Sequence, residues 1–290
     1  MEEFLEINES DKNCNICESV EINPQTQDSQ ILKDYFLKDD KNSCIKELAD
    51  LFGQSEGEMS KEFGVFKAKK LYKKLNYLVL DNSLFYEEVL KRLTIAVKYG
   101  FKSVTVLPSI LTKTKSVLAG KGVEVRVLID YPLGEELFKT RLYSLKTAIK
   151  KGADCLLVTL PISAIKNGEY KRVLKEIKKM LKVSKKRKFS LVIDFSKLNV
   201  NEVKELLLEV VKNGKIESII PTSGVDGVIN FQAVKDLCEL SGGKCKVEGF
   251  GYVTSSTQIV TALNSGASEI LSENCPFIAE DLDAKLNSVK

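Results

Sequence analysis

From about residue 75 onward, short runs of β-branched and aliphatic residues alternate with longer stretches in which apolar positions recur every three or four residues. The runs YLVLD (77–81), SVTVL (103–107), EVRVLIDY (124–131) and CLLVTL (155–160) predict four strands. FSLVID (189–194), SIIPT (218–222), CKVEGF (245–250) and SEIL (268–271) predict four more. The periodic stretches between them predict helices running through Lys98, to near Gly120, over 135–151, 168–184, 200–213, 229–240 and 254–265, and from 277 onward. Gly100, Gly120, Gly152, Gly214 and Gly266 fall where a helix must stop and the chain must turn back into a strand. Alternation of this kind calls for parallel strands joined by crossover helices, and eight units predict an α/β fold closed as a (β/α)8 TIM barrel. Residues 62–76, EFGVFKAKKLYKKLN, predict a further helix closing the barrel floor.

Charge divides the chain differently. Residues 1–60 carry fifteen Asp and Glu against five Lys, a balance of −10, while the rest of the chain carries +14. The expected organisation is therefore an acidic N-terminal extension (1–60) on a basic barrel (61–290), the extension either solvated or docked. The most basic run, KRVLKEIKKMLKVSKKRK (171–188), places Val173, Leu174, Ile177, Met180 and Leu181 on one helical face and its lysines on the other. With no aromatic residue and two arginines, it reads as a solvated outer helix, not a nucleic-acid surface. It and KAKKLYKK (67–74) are natural docking sites for the acidic extension.

The absence of histidine removes imidazole acid-base work, Ser-His and Cys-His nucleophiles and histidine-ligated zinc together. Seven irregularly spaced cysteines argue against a disulfide framework, and the lone C-x-x-C at Cys14 and Cys17 lacks a second pair at metal-ligand spacing. No metal and no cofactor are expected. No apolar run approaches the roughly 20 residues that span a bilayer, and the acidic start is unlike a signal peptide. The expectation is a cytoplasmic protein that touches neither membrane nor nucleic acid.

In such barrels chemistry gathers at the C-terminal strand ends. There the pocket candidates are Asp81, Thr105, Asp130, Asp194, Thr222, Ser223, Gly224, Gly251 and Glu273. Read in order, VTVLP, DYPLG, AIKKGAD, LVID, PTSG and NSGASEI resemble the deoxyribose-phosphate aldolase family over about residues 75–280. The resemblance implies a class I aldolase that cleaves 2-deoxyribose 5-phosphate through a lysine Schiff base, in a family that often forms dimers. It also implies where the working residues should stand. The catalytic aspartate, three positions after Gly-Ala-Asp, falls on Leu157, and the Schiff-base lysine before Thr-Ser falls on Pro221. The second lysine falls on Glu248, with Val247 as the alternative, and a further strand-5 lysine on Ser190.

None of these residues supplies the primary amine that an imine needs. The phosphate grip is altered too: the implied Gly pair is Gly251-Tyr252, and the serine pair is Glu273-Asn274. A carboxylate about 4 Å from a phosphate costs several kcal/mol at an effective dielectric near 20. The leading expectation is an aldolase-like barrel without aldolase activity, a regulatory or scaffold subunit that pairs with itself or with an active aldolase-like subunit. One alternative is an active carbon-carbon lyase using a displaced lysine, with Lys188 and Lys246 the nearest inward candidates, or carboxylate chemistry. Another is a binding module for a small cation at an acidic mouth formed by Asp81, Asp130, Asp194, Glu248 and Glu273.

Overall fold

The computed structural model describes residues 69–288 apart from 82, 185–186 and 213–214, so the acidic extension, Gly214 and residues 62–68 of the expected 62–76 helix lie outside the described residues. Eight strands alternate with helices. β1 (Leu75–Val79), β2 (Ser103–Val106), β3 (Glu124–Ile129) and β4 (Cys155–Thr159) are followed by β5 (Lys188–Asp194), β6 (Ser218–Thr222), β7 (Lys246–Phe250) and β8 (Glu269–Ser272). Every neighbouring pair is parallel, and β1 pairs with β8 through Leu75 and Ile270, closing the (β/α)8 TIM barrel that the periodicity predicts.

The helices are α1 (Tyr86–Tyr99), α2 (Leu111–Leu118), α3 (Phe138–Lys150), α4 (Ile162–Lys166), α5 (Tyr170–Ser184), α6 (Val200–Lys212), α7 (Phe231–Ser241), α8 (Ser256–Asn264) and α9 (Cys275–Ser288). Gly100 shows why glycine ends α1: at φ 67° its backbone N–H reaches Ala96 O and Val97 O, a left-handed cap that a β-carbon would strain. On α5, Val173, Ile177 and Met180 are buried while the lysines face outward, as the apolar stripe requires.

Three boundaries differ from the sequence expectation. The chain is already extended at Leu75, so residues 73–76 are turn and strand, not helix. Tyr72 anchors that turn from the core, its hydroxyl donating to Ala279 O at 3.2 Å. The single helix expected from 168 is preceded by the short α4, opened by Pro161 and closed at Gly168 (φ 70°). The last helix starts at Cys275, because Pro276 is well suited to a first turn.

Two hydrophobic layers result. Outward strand residues such as Val104, Leu156 and Ile219 pack with Leu93, Leu145, Ile177 and Leu207 of the helices. Inward residues Leu78, Leu128, Leu157, Val192, Ile220, Phe250 and Leu271 form a separate cluster inside the barrel.

Candidate functional site

Strand alternation sorts the interior into tiers, because only every second residue faces inward. On β6 the inward set is Ser218, Ile220 and Thr222: Ser218 meets Ser190 and Glu248, and Ile220 joins the interior cluster. Pro221 is therefore turned toward the helices, as is Ile219 before it. The expectation that Pro221 occupies the Schiff-base position is corrected on this ground; the inward residue at that height is Ile220. A shift of one residue in aligning the turn that follows moves every side chain of the strand to the other face.

The lowest interior tier is polar and charged. Arg126 and Glu248, both almost fully buried, form a two-pronged ion pair at 2.7 and 3.0 Å. Asn76 donates to Glu269 at 3.0 Å and to Glu248 at 3.5 Å, Ser218 donates to Glu248 and shares a 2.7 Å hydrogen bond with the Ser190 hydroxyl, and Lys102 pairs with Glu269. Burial opposes the Arg126 charge, but the facing Glu248 more than offsets it and holds the guanidinium above its ordinary pKa. For Glu269 burial acts against ionisation, yet the Lys102 and Asn76 hydrogen bonds win and its pKa is lowered. Burial raises the Cys155 thiol, which lies 3.9 Å from Ser190 Oγ and stays protonated. The cavity beside these residues is about 10 Å³, far too small for a sugar phosphate.

Lys188 and Lys246, the displaced-lysine candidates, stand at this same end. They pair with Glu124 at 2.6 Å and Glu217 at 2.7 Å. The Lys188 pKa is raised because Glu124 outweighs its partial burial, and that of Lys246 by its hydrogen bond to Glu217. Both are ammonium ions at neutral pH, with no lone pair for a carbonyl.

Above the floor lies the hydrocarbon tier. Leu157, Ile220 and Phe250 fill it with Leu78, Leu128, Val192 and Leu271, and Tyr131 roofs it by stacking on Phe250 at 5.6 Å and 22°. Glu248 is two residues below Phe250 on β7, so it belongs to the floor and not to the mouth. Ser190 likewise lies in the floor tier. Among the described strand positions that face inward, lysine occurs only at 188 and 246.

The mouth does not gather the five expected carboxylates into one pocket. Asp81 accepts from Ser83 N at 3.0 Å and Ser83 Oγ at 2.6 Å, which lowers its pKa, and Arg92 is 3.6 Å away. Asp194 caps its own turn by accepting from Ser196 N at 2.8 Å. Asp130, in the left-handed region at φ 59°, lies 2.9 Å from Nε of the buried Arg141 and accepts from Glu136 N at 3.2 Å. The Arg141 Nε–H is not aligned on that carboxylate, so the contact is an ion pair more than a hydrogen bond. Burial raises Asp130 to about 6 against the pull of Arg141. With Glu248 at the opposite end, the cation pocket expected from these five groups is not assembled.

The turn residues have structural work of their own. Thr222 Oγ1 donates to Gly224 O at 2.9 Å. A β-carbon on Gly251 would stand 2.5 Å from Ile229 N and 2.6 Å from Val228 C, so glycine there lets the β7 turn press on the β6 turn. Thr105 and Thr159 face inward with buried hydroxyls that have no hydrogen-bond partner among the described residues.

Sequence reasoning passed over Arg126, Arg141 and the Phe250–Tyr131 lid. Arg126 carried a usable signal: a charge inside EVRVLI, at the inward parity of Leu128, needs a buried counter-charge.

Comparison with known proteins places this architecture. No family profile matches the chain. It is 29% identical over 202 residues to a deoxyribose-phosphate aldolase of Mycoplasmoides pirum, covering 68% of this chain and 91% of that protein. It is 29% identical over 186 residues to that of Mycoplasma pneumoniae, covering 64% and 82%. Among solved structures, a deoxyribose phosphate aldolase from Aeropyrum pernix, described as having a unique tetrameric structure, superposes with a TM-score of 0.69 at 19% identity over 78% of this chain and 97% of that one. The chain is deoxyribose-phosphate aldolase-like in sequence and fold. Among the described residues no helix is long and apolar enough to cross a membrane.

Proposed function

We propose that this chain is a deoxyribose-phosphate aldolase-like barrel that does not carry out Schiff-base chemistry and acts as a regulatory or scaffold subunit. One observation carries the reading: the tier in which an imine would form is filled by Leu157, Ile220 and Phe250, all buried hydrocarbon. A Schiff base needs an unprotonated primary amine and a proton donor beside it. The inward lysines at 188 and 246 are below that tier and are paired with glutamates.

A second reading, an active carbon-carbon lyase of the same type, is favoured by the similarity to curated aldolases across most of their length. It requires a lysine reaching the mouth from a loop. Sodium borohydride in the presence of acetaldehyde or 2-deoxyribose 5-phosphate, followed by intact mass and peptide mapping, separates the two. No adduct is expected, and an adduct on a barrel lysine would replace the first reading by the second.

A further inference from the structure

The mouth is apolar on its outside as well as plugged within. Of the eleven exposed large hydrophobic side chains among the described residues, all but Leu90, Tyr143 and Leu208 stand in loops or first helical turns that follow strands. Five of them, Phe85, Val225, Val228, Tyr252 and Phe277, follow β1, β6, β7 and β8, which are consecutive around the closed barrel. Each is at least half exposed, and Val228 and Tyr252 are joined by a backbone bridge. Apolar surface concentrated in one arc marks an interaction site, whereas scattered single residues do not.

The sign of charge around this arc narrows the occupant. The stretches 80–89, 223–230, 251–255 and 273–278 contain Asp81, Glu87, Glu88, Asp226 and Glu273 and neither lysine nor arginine. Asp81 faces Arg92, and Glu88 accepts from Phe85 N at 3.1 Å; Glu87, Asp226 and Glu273 have no ion pair among the described residues. Burial raises the Glu273 carboxyl, and Asp81 and Asp226 add to it against Arg92, so these carboxylates feel one another. A cation already uses one edge of the arc: Lys113 Nζ sits 3.1 Å from the Tyr86 ring centre. A second copy docked mouth to mouth would set like charges together, the chain's own extension carries −10, and nucleic acid or an anionic membrane would be repelled.

We propose that the arc formed by Phe85, Val225, Val228, Tyr252 and Phe277, with the carboxylates beside it, docks a segment of another protein that carries apolar side chains flanked by lysine or arginine. The surface lies on the loops and not in the barrel interior, so it holds whichever way borohydride trapping falls.

The test uses the full chain and a fluorescein-labelled amphipathic helix made of leucine and lysine, with its leucine-glutamate counterpart as control, read by fluorescence anisotropy at about 0.15 M salt. Saturable binding of the lysine peptide is expected. The pair Tyr252→Ser and Phe277→Ser should weaken it by about tenfold or more. Tyr143→Ser, a still more exposed residue on α3, should leave it unchanged. Circular dichroism and thermal midpoints confirm folding of each variant. The shape-preserving pair Asp226→Asn and Glu273→Gln gives a second reading: weaker binding with a shallower salt dependence. The proposal is overturned if neither pair changes the affinity, if the glutamate peptide binds as well, or if sedimentation shows a dimer that the serine pair dissociates. That last result would assign the arc to a second copy.

Discussion

The two ends of the barrel solve opposite problems with opposite residues. At the N-terminal end charge is matched partner by partner: Arg126 with Glu248 in full burial, Lys102 with the buried Glu269, and Lys188 with Glu124 and Lys246 with Glu217 at the partly exposed rim. At the C-terminal end exposed aromatic and aliphatic side chains stand among carboxylates, several without an ion pair among the described residues. Between them lies a hydrocarbon plug. Arg126 and Glu248 cannot leave one another without leaving a desolvated ion behind, so the centre of that end is committed to stability. The mouth has surplus charge and apolar surface, which is what recognition uses.

The largest effect expected from breaking this arrangement is a charge placed in the plug. Ile220→Lys buries an ammonium among Leu157, Phe250 and Val192, where burial depresses a lysine pKa by about 3–5 units, or about 4–7 kcal/mol. Val225→Lys, on the exposed mouth, should change stability by no more than about 0.5 kcal/mol. Urea unfolding measures both; a cost below about 1 kcal/mol for Ile220→Lys would mean that the tier is open to water. The same variant sharpens the functional reading, because a lysine held neutral at this height should become trappable by acetaldehyde and borohydride.

Next in size is the floor. Arg126→Met leaves Glu248 buried with Ser218 and Asn76 alone and should cost about 3–5 kcal/mol. The double variant Arg126→Met, Glu248→Leu should recover most of that loss, since a buried ion pair often contributes little beyond its hydrophobic replacement. Equal losses in the single and double variants would show that the floor needs its charges for more than mutual neutralisation.

A pH dependence of about 1–3 kcal/mol is expected where a mouth carboxylate goes into the core. Asp130, with its folded pKa raised to about 6, binds its proton more tightly folded than unfolded. Its contribution is complete below its ordinary value near 4 and is lost as pH rises through 6. Asp130→Asn should flatten stability between pH 4 and 6 relative to the parent. A carboxyl resonance of Asp130 titrating below 4 would show that Arg141 outweighs burial.

Much of the architecture was legible because it rests on period: β-branched runs at inward and outward parity, amphipathic helices and glycine stops are all local signals. Pro221 shows the limit. A resemblance fixes residues along the chain, but a one-residue shift in the turn decides whether Ile220 or Pro221 faces the interior, and only the pairing of Ser218 with Glu248 and Ser190 settles it. Glu248 was read as a mouth residue for a related reason: depth in a tilted strand depends on neighbours distant in sequence, here Arg126. The apolar arc left no sequence signal, because loop residues follow no period and the loop of Phe85 joins those of Tyr252 and Phe277 only through closure of β8 on β1.

The smallest expected effect is the most telling about the two faces of one strand end. Tyr252 and Phe250 are separated by a single glycine, and both are aromatic. Phe250 lies in the plug against Tyr131, so Phe250→Ala should cost about 3–5 kcal/mol. Tyr252 points outward, half exposed, with its backbone N–H held by Gly227 O at 2.9 Å, so Tyr252→Ser keeps that backbone bond and should shift stability by no more than about 0.5 kcal/mol. Thermal unfolding checks this directly. A near-zero stability change combined with lost peptide binding places Tyr252 in recognition, whereas a loss comparable to that of Phe250 would make it part of the lid and remove the centre of the proposed docking arc.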